Sequence, residues 1–250
     1  MRKLTLCLAL LFGSGHSINA AAVEFSSPAR QATLLELYTS EGCSSCPAAD
    51  RWLSRLKTDA RLWRELVPVA FHVDYWNYLG WRDRFSTAAN TQRQQAYKRH
   101  NYVDVVYTPG FIMNGREWRG WFNKSALSGS DSQVVGVLKA SIDRQGGKVE
   151  FIPATATQTP LLLNVAWLGF DLSSDIAAGE NRGKRLTHDF VVLDMRQYRQ
   201  TTSQNKYRWQ LPELTSGIPD ATKGIAIWIT TLNDPTPLQA TGGFMDVTKL

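Results

Sequence analysis

Hydrophobic positions along the chain follow two patterns, and the change between them falls near Gly146-Gly147. Before this point, short apolar runs alternate with segments whose apolar residues recur at helical spacing, which predicts alternating strands and helices. After it, short runs rich in β-branched residues are separated by turn residues, which predicts strands alone. We therefore expect an α/β domain over residues 23–146 and a smaller, mostly antiparallel, sandwich-like β domain over residues 147–250.

The pattern also predicts the order of the elements in the first domain. A strand–helix–strand unit is right-handed and parallel, so both strands end at the same sheet edge, where open α/β sheets bind ligands. The predicted elements are a strand from Leu34 to a break at Gly42, a helix over 48–56, a strand over 66–75, a polar helix over 87–101, a hairpin at Asn114-Gly115 and a helix over 130–145. Strands of the second domain are predicted at 148–152, 161–170, 189–196, 207–211, 225–232 and 243–247.

Two cysteines stand at the junction of the first predicted strand and helix. Cys43 precedes the helix, where unpaired N–H groups and the helix dipole favour a thiolate, and Cys46 lies in the first turn. This placement predicts an exposed attacking sulfur on Cys43 and a covered resolving sulfur on Cys46. Both are expected to be catalytic, with the redox-active Cys43-Cys46 disulfide in place of a separate cofactor.

Two other uses of a C-x-x-C pair are weaker explanations. A zinc site needs two further soft ligands, and the third cysteine, Cys7, lies in a segment that we expect to be removed. A structural disulfide that closes so small a loop stabilises little, because loop-closure entropy grows with loop length.

The first 22 residues have the layout of a secretory signal peptide. Met1-Arg2-Lys3 is basic, residues 4–12 are apolar, and small residues lead up to Ala22. The apolar run is too short to span a bilayer, so no stable membrane insertion is expected. Export to the periplasm or the medium places Cys43 and Cys46 in an oxidising compartment.

Composition narrows the choice of partner. The 250-residue chain is 43% hydrophobic, enough for one large or two modest cores, and its net charge is +6. Removal of Arg2 and Lys3 with the signal peptide lowers this charge to +4. Nucleic acid is not an expected partner, because no basic block or binding motif accompanies the charge. The basic loop over 181–185 either binds an anion or is simply solvated.

Two residues at the end of the second predicted strand are candidates for tuning a sulfur. His72 and Asp74 share a face of this strand by its period of two, and the strand is expected to end near Cys43. The alternative for His72 is a hydrogen-bonded core residue, which its apolar neighbours favour.

An aromatic loop follows this strand over residues 76–85. Trp76 and Tyr78, nearest the strand end, are expected to contact an extended client protein, since exposed apolar surface usually marks a binding site. Trp81 and Phe85 are expected to pack beneath the helix that follows.

The order of these elements resembles the thioredoxin superfamily. The similarity rests on the C-x-x-C at a helix start and on Thr108-Pro109 opening the predicted hairpin. It implies a thioredoxin-like α/β fold with an inserted helix, and a catalytic cis-proline at Pro109 whose preceding peptide, at Thr108, packs against the sulfurs and binds substrate. The chain departs from thioredoxin in the Ser-Ser dipeptide between its cysteines and in its longer spacing from Cys43 to Pro109.

A closer resemblance is to the exported family DUF1223, and it spans nearly all of the mature chain. The segments that carry it are 41–50, 71–81, 107–109 and 179–183.

Two classes of function remain open. The first is an exported thiol–disulfide oxidoreductase that acts on client protein thiols or disulfides together with an unidentified redox partner. The second is a Cu(I)-binding or copper-delivery protein, in which Cys43 and Cys46 hold the metal with support from His72 or Met113. A weaker third hypothesis is a protein-interaction module whose redox site is vestigial.

Overall fold

The computed structural model describes residues 22–123, 127, 133–143, 145–200, 206–213 and 218–245. The expected signal peptide, apart from Ala22, therefore lies outside the described residues. Those described form two α-helices, α1 (Cys46–Ser54) and α2 (Ala88–Arg99), and two 3₁₀ turns, Arg55–Thr58 and Asn77–Leu79. The strands are β1 (Val23–Ser26), β2 (Thr33–Thr39), β3 (Leu66–His72), β4 (Gly110–Met113), β5 (Arg116–Glu117), β6 (Gly136–Asp143), β7 (Gly146–Pro153), β8 (Leu161–Gly169), β9 (Leu172–Asp175), β10 (Arg185–His188), β11 (Val191–Gln200), β12 (Tyr207–Leu211), β13 (Thr222–Thr231) and β14 (Gln239–Phe244).

One mixed sheet of eight strands runs through the protein in the order β14-β13-β8-β11-β3-β2-β4-β5. β2 and β3 are parallel, with Leu37 opposite Ala70, and every residue of both strands is buried. Strands covered on both faces require such continuous apolar runs. β4 pairs with β2 in the antiparallel sense and returns as β5 through Asn114 and Gly115, both of which have positive φ.

A second sheet, in the order β1-β6-β7-β12, packs against the β8 and β13 part of the large sheet. Alternate residues of β8 divide between two cores. Val165 and Trp167 face the four-stranded sheet, whereas Ala166 and Leu168 belong to the core that holds Leu53 of α1. β9 and β10 form a separate two-stranded sheet, and β10 contacts α1.

The expected fold class is wrong. The protein is built mainly of strands in large sheets, and it is not a thioredoxin-like α/β domain with an inserted helix followed by a smaller β domain. The helix predicted over 130–145 is replaced, in the residues described, by β6, in which Leu138, Ala140 and Ile142 are buried at every second position. The Val-rich sequence fits both periods, and pairing with β1 and β7 on either side favours the strand.

Other local predictions are confirmed. The helices expected over 48–56 and 87–101 are present as α1 and α2, and the hairpin at Asn114-Gly115 is present as β4 and β5. The boundary expected at Gly146-Gly147 falls at the start of β7, but the large sheet crosses it, because β11 pairs with β3 at Val191 and Ala70. Among the residues described, no helix is both long and apolar enough to cross a membrane.

Candidate functional site

Cys43 and Cys46 form a disulfide at the junction of β2 and α1, with their Cα atoms 5.4 Å apart. Cys43 lies in the turn before the helix, and Cys46 is its first residue. The side chains are 2% and 0% exposed, respectively. The exposed Cys43 sulfur that we expected is therefore not observed, and both sulfurs are covered in the oxidised protein.

Thr108 and Pro109 lie beside Cys43. The Thr108 carbonyl oxygen is 3.8 Å from Cys43 Sγ, and the peptide bond between Thr108 and Pro109 is cis. Trp76 Nε1 donates a hydrogen bond to Thr108 Oγ1 at 2.7 Å, so the indole braces the residue that faces the sulfur. A Cβ on Gly42 would lie 3.0 Å from Trp76 Cβ, so the absence of a side chain at Gly42 lets Trp76 approach the turn.

The two other candidates from the end of β3 have different surroundings. Asp74 Oδ1 accepts a hydrogen bond from Thr91 Oγ1 at 2.6 Å and so joins α2 to the end of the strand. Tyr78 lies in the second 3₁₀ turn with 78% of its surface exposed, and it is the most exposed large apolar side chain described. Both therefore border the edge that carries the disulfide without a described contact to the sulfurs.

His72 is fully buried and belongs to a charged cluster behind the disulfide turn. Its Nδ1 lies 2.6 Å from Asp83 Oδ2, and Asp83 also accepts the backbone N–H groups of Glu41 and Phe85, each at 2.9 Å. Burial acts to raise the pKa of Asp83, but the imidazole and the N–H groups hold it below its ordinary value. His72 thus anchors the turn through Asp83, as a core residue that also borders the site.

The sequence did not reveal the second half of this cluster. His188, the last residue of β10, lies between Glu41 and Asp50, with Nε2 3.3 Å from Glu41 Oε1 and Nδ1 3.5 Å from Asp50 Oδ2. All three side chains are buried. These are ion-pair contacts without hydrogen-bond geometry, and neither imidazole nitrogen has a hydrogen-bond partner among the described residues.

The charges in this cluster are set by the competition between burial and pairing. Burial acts to lower the pKa of His188, but Asp50 and Glu41 together raise it to about 10. Burial likewise acts to raise the pKa of Glu41, and the adjacent imidazole is the largest influence that holds it below its ordinary value. His188 is therefore a cation and Glu41 an anion at neutral pH.

A segment from the second half of the chain, residues 179–183, holds the disulfide turn from outside, and we call it the strap. The Asn181 side chain is buried and donates hydrogen bonds to the carbonyls of Glu41 and Cys43 at 2.8 and 2.9 Å. Glu180 accepts the Ser44 N–H at 2.8 Å. The loop considered for anion binding therefore begins with a residue that fixes the shape of the turn.

No group of three or more His, Cys, Asp and Glu side chains in the described residues is arranged to hold a metal ion. Of the two supporting ligands suggested for Cu(I), His72 has its Nδ1 engaged by Asp83. Met113 lies in β4 opposite Leu35 and packs against the core.

Comparisons with known proteins place this arrangement in a family. A family model described as "Protein of unknown function (DUF1223)" matches residues 34–230, which include the disulfide, His188 and the strap. No curated protein sequence matches the chain. A crystal structure of an Agrobacterium tumefaciens protein has a TM-score of 0.63 at 24% identity, covering 86% of this chain and 94% of that one. HBP35 of Porphyromonas gingivalis has a TM-score of 0.56 at 14% identity, covering 87% and 76%. Identities this low relate the folds alone.

Proposed function

The chain belongs to the DUF1223 family, and from the geometry of its disulfide site we propose that it is an exported thiol–disulfide oxidoreductase for client proteins. The observation that carries the proposal is a disulfide at the N-terminus of α1, beside the Thr108 carbonyl and in front of a buried ionic cluster. A disulfide across so few residues adds little to stability by chain entropy, so exchange explains it better than a structural role. The likeness to the thioredoxin superfamily concerns this site and not the architecture of the sheets.

The exchange that we propose balances over two steps. A client thiolate attacks Cys43 Sγ, the bond between Cys43 and Cys46 breaks, and Cys46 leaves as a thiolate that takes up a proton. A second client thiol, after losing its proton, attacks the client sulfur of the mixed disulfide and releases Cys43 as a thiolate. The client is oxidised by two electrons and the protein is reduced by two, and the same steps in reverse reduce a client disulfide.

The position of Cys43 supports its role as the exchanging sulfur. It lies two residues before Ser45, the N-cap of α1. The first turn of this helix carries no acidic residue, and Ser45 makes no side-chain capping bond. The partial positive charge of the helix end therefore acts on a Cys43 thiolate. Ser45 Oγ, 3.4 Å from Cys43 Sγ, is placed to donate a hydrogen bond to that thiolate.

A client must approach from the side where apolar residues are exposed. Tyr78 is 78% exposed and Val105 is 61% exposed, and in sequence they stand two residues after Trp76 and three before Thr108. We propose that an extended client segment lies across these side chains, with Thr108 presenting its carbonyl to the chain next to the reacting sulfur. This surface also fits the expected contact of Trp76 and Tyr78 with a client.

The proposal is tested by trapping mixed disulfides in the mature protein. A Cys46→Ser variant carries one free thiol, Cys43, which should attack a disulfide of oxidised insulin, displace the other insulin sulfur as a thiolate and remain bound, because no resolving sulfur releases it. The matched Cys43→Ser variant should not accumulate this mixed disulfide, because Cys46 is fully buried. Mass spectrometry of alkylated samples measures both. Failure of both variants to form a mixed disulfide, together with no exchange by the wild type, would contradict the proposal.

Metal analysis distinguishes the proposed oxidoreductase from the copper-binding alternative. Copper analysis of protein purified under reducing conditions should find no stoichiometric metal, and one bound copper per chain would favour the delivery protein.

A substitution at Tyr78 tests the client surface. Tyr78→Ala should slow exchange with insulin severalfold and leave exchange with oxidised glutathione unchanged, because a small disulfide does not need the apolar surface. An equal loss on both substrates would show that Tyr78 does not contact the client.

A further inference from the structure

Three buried charges from three parts of the chain converge behind the disulfide turn. Glu41 stands two residues before Cys43, Asp50 lies one helical turn after Cys46 on the buried face of α1, and His188 comes from β10. The imidazole of His188 bridges the two carboxylates at 3.3 and 3.5 Å. The disulfide is thus flanked in sequence by two anions that share one cation.

Other titratable groups around His188 are already paired. The His72 ring meets the His188 ring edge to face at 4.8 Å, and its Nδ1 is engaged by Asp83. Asp189, the next residue after His188, is paired with Lys57 at 2.8 Å. Trp81 Nε1 donates to the second oxygen of Glu41 at 2.7 Å without contributing charge. Glu41 and Asp50 are therefore the carboxylates in contact with His188, while those of Asp83 and Glu180 reach the turn through the N–H groups of Glu41 and Ser44.

The field of these charges acts on the chemistry of Cys43 once the disulfide is reduced and a thiolate can form. A Cys43 thiolate adds a negative charge two residues after the buried Glu41 and at the end of the helix that carries the buried Asp50. The two carboxylates raise the free energy of this thiolate, while the imidazolium between them lowers it. Interactions between charges are strong here because the groups are shielded from water. The two signs act on the same sulfur from positions in contact with each other.

We propose, building on the proposed function, that Glu41 and His188 are opposed positioning residues that set how readily Cys43 becomes a thiolate. Glu41, with Asp50, holds the thiolate back, and His188 offsets them. The second half of the chain then acts in the redox chemistry through β10, although it contributes no sulfur. The setting of Cys43 reactivity determines both the rate of its attack and the ease with which it leaves a mixed disulfide.

The test measures the Cys43 thiol pKa in the full mature chain carrying Cys46→Ser, so that one thiol is present. Alkylation by iodoacetamide followed against pH reports this pKa. Glu41→Gln should lower this pKa, so that alkylation at pH 6.5 becomes about three- to tenfold faster. His188→Gln should raise the pKa and slow alkylation by a similar factor. The double variant should fall between the two single variants.

Opposite directions are the decisive result. A merely structural role would loosen the turn in both variants and shift both Cys43 pKa values the same way. The proposal requires the Cys43 pKa to be lowest in Glu41→Gln, intermediate in the wild type and highest in His188→Gln, and any other order overturns it. If His188→Gln does not fold, as judged by circular dichroism, Glu41→Asp replaces it: this variant keeps the negative charge on a shorter side chain, so its Cys43 pKa must stay near the wild-type value while that of Glu41→Gln lies below it, and an equal fall in both variants overturns the proposal. Iodoacetamide requires no client, so absence of client exchange with the predicted order intact would contradict the proposed function and leave this inference standing.

Discussion

Two buried charge clusters differ in how completely their atoms are paired: one joins β2 of the large sheet to α2, and the other joins the disulfide turn and α1 to β10. Glu36 of β2 accepts two hydrogen bonds from the Arg93 guanidinium, at 2.7 and 2.9 Å, and one from each of the Tyr38 and Tyr97 hydroxyls. The imidazole of His188 approaches its two carboxylates at 3.3 and 3.5 Å without a hydrogen bond in the part of the chain described.

The difference indicates what each cluster does. Arg93 cannot lose its proton, and it also lies over the Phe71 and Trp228 rings, so the Glu36 cluster is fixed in both charge and geometry. His188 can lose its proton, and incompletely paired buried groups concentrate at functional sites. The satisfied cluster lies within the sheet, and the unsatisfied one lies behind the disulfide. We infer that the first stabilises the fold and that the second tunes the sulfur.

The largest expected effect comes from removing the second half of the chain, on which both clusters depend. The Tyr97 hydroxyl, which donates its proton to Glu36 in the first cluster, lies 3.1 Å from the Pro235 carbonyl oxygen, and His188 supplies the cation of the second cluster. A fragment over residues 23–145 also loses β11, which covers the β3 edge of the sheet. It should show no cooperative thermal unfolding by circular dichroism, whereas the chain over 23–250 should. A fragment that melts cooperatively would show that the two halves fold separately.

The next largest effect is expected at Arg93. Arg93→Met leaves the buried Glu36 carboxylate without its cation, which should lower the free energy of unfolding by about 3–5 kcal/mol in urea denaturation. The double variant Glu36→Gln/Arg93→Met should recover much of this loss, because the uncompensated charge is gone. A loss below about 1 kcal/mol for Arg93→Met would contradict the assignment of this cluster to stability.

The parts of the structure that were predictable from the sequence are those with a local signal. Helical spacing predicted α1 and, with the break at Gly42, the position of Cys43 before it. The Asn114-Gly115 turn predicted the β4–β5 hairpin. The helix predicted over 130–145 was wrong because residues 134–142 fit helical and strand periods alike. Only pairing with the neighbouring strands β1 and β7 favours the strand β6.

The missing parts of the site are non-local. The Asn181 amide bonds to the Cys43 carbonyl across 138 residues of sequence, a contact that no local pattern encodes. The sequence carried one usable signal, because residues 179–183 were among the segments that resemble DUF1223, but resemblance does not say what a segment touches. His188 carried no signal, since a histidine at a strand end has no distinguishing period.

A smaller effect is expected from the strap, which holds the disulfide turn in front of the His188 cluster. Asn181→Ala removes two hydrogen bonds to the carbonyls of the turn, which should lower the free energy of unfolding by about 1–3 kcal/mol. It should also speed reduction of the disulfide by dithiothreitol, because the turn that covers Cys43 is no longer held. The matched control Arg182→Ala alters an exposed side chain of the same strap and should change neither quantity. Equal rates in both variants would show that the strap does not control access to Cys43.

The effect that is smallest at each step is the change of stability per pH unit, and it distinguishes the two clusters because His188 can lose a proton in this range and Arg93 cannot. The folded pKa of His188 is raised to about 10 from an ordinary value of 6.5, so its contribution is complete below pH 6.5 and is lost as the pH rises towards 10. The melting temperature of the oxidised wild type should therefore fall steadily over this range, and His188→Gln should flatten the decline. Arg93→Met keeps His188 and should retain the wild-type slope from a lower starting temperature, because Arg93 stays protonated throughout. An unchanged slope in His188→Gln would mean that the imidazole is not the cation that the two carboxylates share.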